Sequence, residues 1–189
     1  MIQQMSVETI GKKRFTVDEF HRIFDVLPET CRYELVRGEI IEMPLPESPH
    51  SSRVKRLNRI FMSRLGDSVI VSVQDPVVID TYTEVLPDVA LLKSRDDFYE
   101  AAHPAPQDVL AVIEVSHKSR NYDVKVKSPL YAAAGIPEYL QLDVLKECLI
   151  VRADPADGEY HTTRILKRGE TVAPREFRDI TFSIDELLG

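Results

Sequence analysis

Two short segments constrain this chain more than anything else in it. Val85 to Leu92 and Val109 to Val115 are near-continuous apolar runs of strand length. A strand with one wet face alternates polar and apolar residues, whereas a strand without alternation is covered on both faces, as in sheets flanked by helices. Each run nevertheless carries one acid: Asp88 follows Pro87, and Glu114 stands between Ile113 and Val115. Charged groups are rarely enclosed unless paired or bound to metal, because desolvating them costs several kcal/mol. Two carboxylates about 4 Å apart on neighbouring strands would repel by about 4 kcal/mol at an effective dielectric of about 20. A hard divalent cation relieves that repulsion, and Mg²⁺ is commonly held by one or two carboxylates plus water and substrate phosphate. The residues leave a second reading open, in which each acid is a strand-end group in water or the partner of an arginine or lysine.

The rest of the chain supplies the layers that cover such strands. Thr16-Val17-Asp18-Glu19 has capping-box form and predicts a helix from Thr16 to about Val26, stopped by Pro28. Tyr33–Val36 and Ile40–Met43 flank Arg37-Gly38-Glu39 and read as a hairpin turning at Gly38. Ser48-Pro49 reads as an N-cap and first turn, after which Val54, Leu57, Phe61 and Leu65 recur at helical spacing up to Gly66. Val69–Val73 and Val77–Ile79 are short β-branched runs. Asn121–Ala134 reads as a helix that Pro129 should kink. Glu138–Asp143, Glu147–Arg152 and Tyr160–Leu166 are further strands, and Ile184–Leu188 a closing helix. The expected fold is α/β, a mixed sheet with helices on its faces.

At 189 residues, 43% hydrophobic and 29% charged, the chain fits one domain with an ordinary core. That excludes disordered, collagenous and disulfide-framework classes. No apolar run reaches the length of a membrane helix, and the basic N-terminus lacks a signal's apolar stretch, so no membrane partner is expected. Cys31 and Cys148 lack metal spacing and read as buried thiols of a cytoplasmic protein. His103, His117 and His161 read as solvated, and His21 as a helix-face residue. The net charge of −7 argues against a generic nucleic-acid coat. Ser48 to Gly66 departs from that balance, with Arg53, Lys55, Arg56, Arg59 and Arg64 and no acid. This helix is either a solvated face or a surface turned to phosphates.

Asp123 and Lys127 stand four apart on the helix after Glu114, and share a face with Tyr131. They read either as an intrahelical ion pair or as a means of aiming the Lys127 ammonium at the two strand acids, where it would stabilise charge developing on a phosphate. No Walker-type glycine loop, GxSxG, HExxH or paired CxxC is present.

Taken in order, Tyr33-Glu34-Leu35-Val36-Arg37-Gly38-Glu39, Gln74-Asp75-Pro76, Leu86-Pro87-Asp88, Ile113-Glu114-Val115-Ser116, Tyr122-Asp123 with Lys127, and Leu130-Tyr131-Ala132-Ala133-Ala134-Gly135-Ile136-Pro137-Glu138-Tyr139 with Asp143 form a recognisable set. It resembles a family of small restriction-endonuclease-like domains within the PD-(D/E)xK nuclease superfamily, from about Phe15 to Asp143 and weakly beyond.

The resemblance implies an αβββαβ core at about 15–143, followed by C-terminal strands and a short helix at about 147–189. It also implies Mg²⁺- or Mn²⁺-dependent phosphodiester hydrolysis, with DNA as partner. Asp88 and Glu114 match the motif acids, and Glu34 resembles an additional acid beside the metal. Ser116 departs from the pattern, standing where the superfamily has lysine. The family's lysine lies on the following helix, here Lys127, with Lys118 and Lys125 as geometric alternatives. Gln74 fits the position of a polar residue near the metal, and His50, at the start of the basic helix, matches a position often occupied by histidine in the family. Arg53, Lys55, Arg56, Arg59, Lys118, Arg120 and Lys125 would then contact backbone phosphates. Cutting both strands of a duplex favours a homodimer, and the acidic surface leaves room for a protein partner that delivers DNA. Ser116 and the net charge also suit a nuclease-like binding or assembly module without turnover, and hydrolysis of a small phosphoester is a third reading.

Overall fold

The structure, a computed structural model, describes residues 11–117 and 120–189, the side chain of Arg120 excepted. Helix α1 (Val17–Phe24) carries the expected capping box between Thr16 and Glu19. Strands β1 (Arg32–Val36) and β2 (Glu39–Met43) pair as an antiparallel hairpin. Its turn needs positive φ at both central residues, Arg37 (53°) and Gly38 (83°). At Gly38 a Cβ would also meet the Arg14 Cβ at 2.7 Å, so the turn admits no side chain there. Helix α2 (Ser48–Leu65) begins one residue earlier than its sequence suggests: Glu47 is the N-cap, without a side-chain bond, Ser48 is already helical and Pro49 sits in the first turn.

The apolar run Val85–Leu92 is not one strand. Strands β4 (Val77–Asp80) and β5 (Thr83–Val85) form an antiparallel pair, and β6 (Val89–Lys93) begins only after Leu86-Pro87-Asp88. Pro87 has no N–H to give a ladder, so the chain leaves one sheet there and enters another. Strands β1, β2, β4 and β5 make a four-stranded sheet in the order β2-β1-β5-β4. The larger sheet contains β3 (Val69–Ser72), β6, β7 (Val109–Ser116), β8 (Glu138–Asp143), β9 (Cys148–Ala156) and β10 (Glu159–Lys167). Its order is β10-β9-β8-β7-β6-β3, with β7 and β8 parallel and the other pairs antiparallel. Two short strands, β11 (Thr171–Val172) and β12 (Phe182–Ser183), pair beside the closing helix α5 (Ile184–Leu188).

Between β7 and β8 the chain forms α3 (Arg120–Tyr122), a π-helical turn (Asp123–Lys127) and α4 (Ser128–Ala133). A wider π turn thus stands just before Pro129, where the sequence predicts a kink. Helix α2 followed by β3, β6, β7, the α3–α4 segment and β8 is the mixed αβββαβ arrangement that the sequence predicts, with the β4–β5 hairpin inserted.

Packing places the acids. On β6, Val89 and Leu91 join α2 and α5 in one core, while Ala90 and Leu92 join Leu130, Tyr131, Val36 and Val85 in another. Strand β7 does the same with Ile113 and Val115 on the first side and Val112 on the second. Side chains alternate along a strand, so Asp88 and Glu114 share the second side, which the α3–α4 segment and the smaller sheet cover.

Candidate active site

Asp88 and Glu114 lie at the floor of a cleft of 580 Å³ and are only 6% and 3% exposed. Opposite them β1 presents Glu34, and the π turn presents Lys127, itself 3% exposed. The Lys127 Nζ lies 2.9 Å from Glu114 Oε1 and 2.8 Å from Glu34 Oε1. Lys127 is therefore inserted between two buried carboxylates and is not an intrahelical partner of Asp123. Asp123 instead accepts a hydrogen bond from Ser116 Oγ at 2.6 Å. Ser116 Oγ in turn accepts from Gln141 Nε2 at 2.8 Å, and Gln141 Oε1 from Arg152 Nη1 at 3.1 Å. This chain of bonds runs from β9 through β8 and β7 to the turn that carries Lys127.

Each carboxylate has its own surroundings. Asp88 Oδ2 accepts from the Val115 N–H at 2.9 Å and contacts His50 Nε2 at 2.9 Å, and Oδ1 accepts from Gln74 Nε2 at 3.1 Å. Burial pushes the Asp88 carboxyl up, but His50, Lys127 and the Val115 N–H outweigh it and hold the group below its ordinary value. Glu114 Oε1 also accepts from Tyr131 Oη at 2.8 Å, and Oε2 from the Asp88 N–H at 3.3 Å. Burial dominates here and, despite Lys127, raises the Glu114 carboxyl to about 8. Burial works against the Lys127 charge too, but Glu114 and Glu34 outweigh it and hold the ammonium well above the usual lysine value. Glu34 Oε1 accepts from the Leu86 N–H at 2.9 Å, and Oε2 from Tyr122 Oη at 3.2 Å, so the break at Pro87 is tied to the site it creates.

Of the residues that the sequence singles out, the structure brings together Asp88, Glu114, Glu34, Lys127, His50, Gln74, Ser116, Asp123 and Tyr131. Gln74 has a positive φ of 58°, and its N–H bonds the Pro87 carbonyl at 3.1 Å, which holds its amide toward Asp88. Lys125 is exposed and does not line the cleft. Lys118 lies outside the described residues, as does the Arg120 side chain. On α2, Lys55, Arg56 and Arg59 are exposed and Arg53 is partly buried; none lines the cleft. Arg64 is taken by Glu186, at 2.6 Å, and by the Thr181 carbonyl.

Two further expectations change. His117 lines the cleft with its Nδ1 4.0 Å from Glu47. His21 stands exposed on α1 and bonds the buried Glu84 at 2.8 Å. Cys31 is partly exposed and donates to Glu42 at 2.9 Å, whereas Cys148 is buried. Arg32 lines the cleft although nothing in its sequence context distinguishes it from a surface residue at a strand start.

The donor set suits a hard cation. Among the described residues no three His, Cys, Asp or Glu side chains converge to hold a metal by themselves. A cation here would rest on the oxygens of Asp88 and Glu114 and complete its shell with water and phosphate, as Mg²⁺ commonly does.

The sequence matches the model of the family described as "Uma2: Putative restriction endonuclease" over residues 17–185. Among curated proteins, none matches. Among solved structures, a protein from Anabaena variabilis ATCC 29413, described as a "putative nuclease belonging to DUF820", shares 18% identity with a TM-score of 0.71. The match covers 92% of this chain and 97% of that one. At that identity the likeness establishes the fold. Among the described residues no helix is long and apolar enough to cross a membrane.

Proposed function

The chain belongs to the Uma2 family, and from that premise we propose that it is a divalent-metal-dependent endonuclease that hydrolyses phosphodiester bonds in DNA. The observation that carries this reading is the insertion of Lys127 between Glu114 and Glu34, beside Asp88, at the floor of one cleft. Asp88 and Glu114 would hold Mg²⁺ or Mn²⁺, which when bound polarises a phosphate and acidifies a water. His50, Gln74 and the Val115 N–H fix the orientation of the Asp88 carboxylate. Glu34, the third acid, holds the ammonium of Lys127 in place, and that ammonium stabilises charge developing on the phosphate. Lys55, Arg56 and Arg59 on α2 lie outside the cleft and suit the flanking backbone. One such site cuts one strand, so a double-strand break calls for two chains.

The test is cleavage of supercoiled and single-stranded DNA with Mg²⁺ or Mn²⁺, comparing wild type with Asp88→Ala. Nicking by wild type, abolished by EDTA and by the substitution in a protein that still melts cooperatively, is the expected result. Equal cleavage by both proteins would overturn the proposal.

A further inference from the structure

We propose that Arg32 anchors a phosphate group of the nucleic acid in the cleft, an assignment that rests on the nuclease reading of the same site. Arg32 opens β1, and since side chains alternate along a strand it faces the same side as Glu34. Both line the cleft. Its Nε and Nη1 are buried, yet neither has a hydrogen-bond partner. Arginine stays protonated in proteins and carries five N–H donors, so leaving two of them dry and unmatched is costly. Such a group calls for an anionic oxygen ligand, and a phosphate oxygen accepts a charge-assisted hydrogen bond from a guanidinium N–H.

The cleft's charge balance points the same way. Asp88, Glu114, Glu34, Glu42, Glu47 and Asp123 all line it, against Arg32 and Lys127 as permanent cations. Lys127 is committed to two of those acids. Arg32 is then the cleft-lining permanent cation, among the described residues, with donors to spare for an incoming polyanion.

The experiment measures DNA binding against salt concentration for wild type, Arg32→Ala and Arg32→Gln, alongside melting of each protein with and without millimolar inorganic phosphate. Loss of one phosphate contact should lower the slope of log affinity against log salt by about 0.9 for duplex or about 0.7 for single strands. Affinity should fall by about tenfold in both variants. Neither variant should melt lower than wild type, because the substitution removes two buried donors that have no hydrogen-bond partner. Phosphate should raise the melting temperature of wild type only. An unchanged slope and affinity in variants of a protein that still cleaves DNA would overturn the assignment and leave the nuclease reading standing. Lower melting of both variants with an unchanged slope would show a structural role and overturn it equally. Phosphate stabilisation that both variants lose, in a protein that binds no nucleic acid, would support the anion site and remove the nuclease reading.

Discussion

Asp88 and Glu114 are joined by one hydrogen bond, from the N–H of Asp88 to the carboxylate of Glu114, yet their carboxyl groups shift oppositely. Asp88 is held below its ordinary value and Glu114 is lifted to about 8. For an acid whose folded value is raised, the folded chain holds the proton where the unfolded chain has lost it. Its contribution to stability is full below the ordinary value of 4.5 and disappears as pH rises through about 8. The contribution of Asp88 is present above its ordinary value of 3.8 and fades as pH falls below it. Melting in EDTA should therefore show stability falling from pH 5 to 8 in wild type, and a shallower fall in Glu114→Gln, which cannot titrate. Equal slopes would mean that Glu114 is ionised throughout. These two acids were legible in the sequence because a charge within an apolar strand has to be explained. His50 and Gln74 were legible only through the family resemblance, since a polar residue at a helix start or in a loop is unremarkable by itself. Arg32 left no signal, because only the fold reveals that its donors are dry.

At the scale of elements, the strand–turn–helix passage from β7 to α4 decides where the ammonium goes. The superfamily pattern puts lysine two residues after the second acid; here that place is taken by Ser116, fully buried and bonded to Asp123 and Gln141. The serine ties the π turn to the sheet, and the turn places Lys127 between Glu114 and Glu34. Ser116→Ala should remove two hydrogen bonds from that buried network, at a cost of about 1–3 kcal/mol. It should also loosen the π turn, so kcat should fall by about tenfold with KM little changed, since a misplaced catalytic group costs rate steeply. Steady-state cleavage kinetics and urea unfolding check both parts, and unchanged kcat would show that the turn holds Lys127 unaided. A capping box made α1 readable and helical spacing made α2 readable. The division at Leu86-Pro87-Asp88 was not readable, because the pattern registers burial and not which sheet does the burying. The smaller sheet joins β1 to β5 through Leu35 and Glu84, a pairing too distant in sequence to leave a local trace.

For the whole molecule, the two sheets and the α3–α4 segment enclose a cleft whose lining is far richer in carboxylates than in committed cations, within a chain of net charge −7. A polyanion would be repelled from such a place unless a cation of higher charge resides there. Asp88 and Glu114 are the proposed site of that cation, and titration calorimetry with Mn²⁺ tests this most directly. Wild type should bind Mn²⁺ and, measured in buffers of different ionisation enthalpy, release a proton at pH 7 that is absent at pH 9, because Glu114 must ionise to ligate. Asp88→Asn should lose the binding. Mn²⁺ binding that Asp88→Asn and Glu114→Gln both retain, with no proton released at pH 7, would contradict the account.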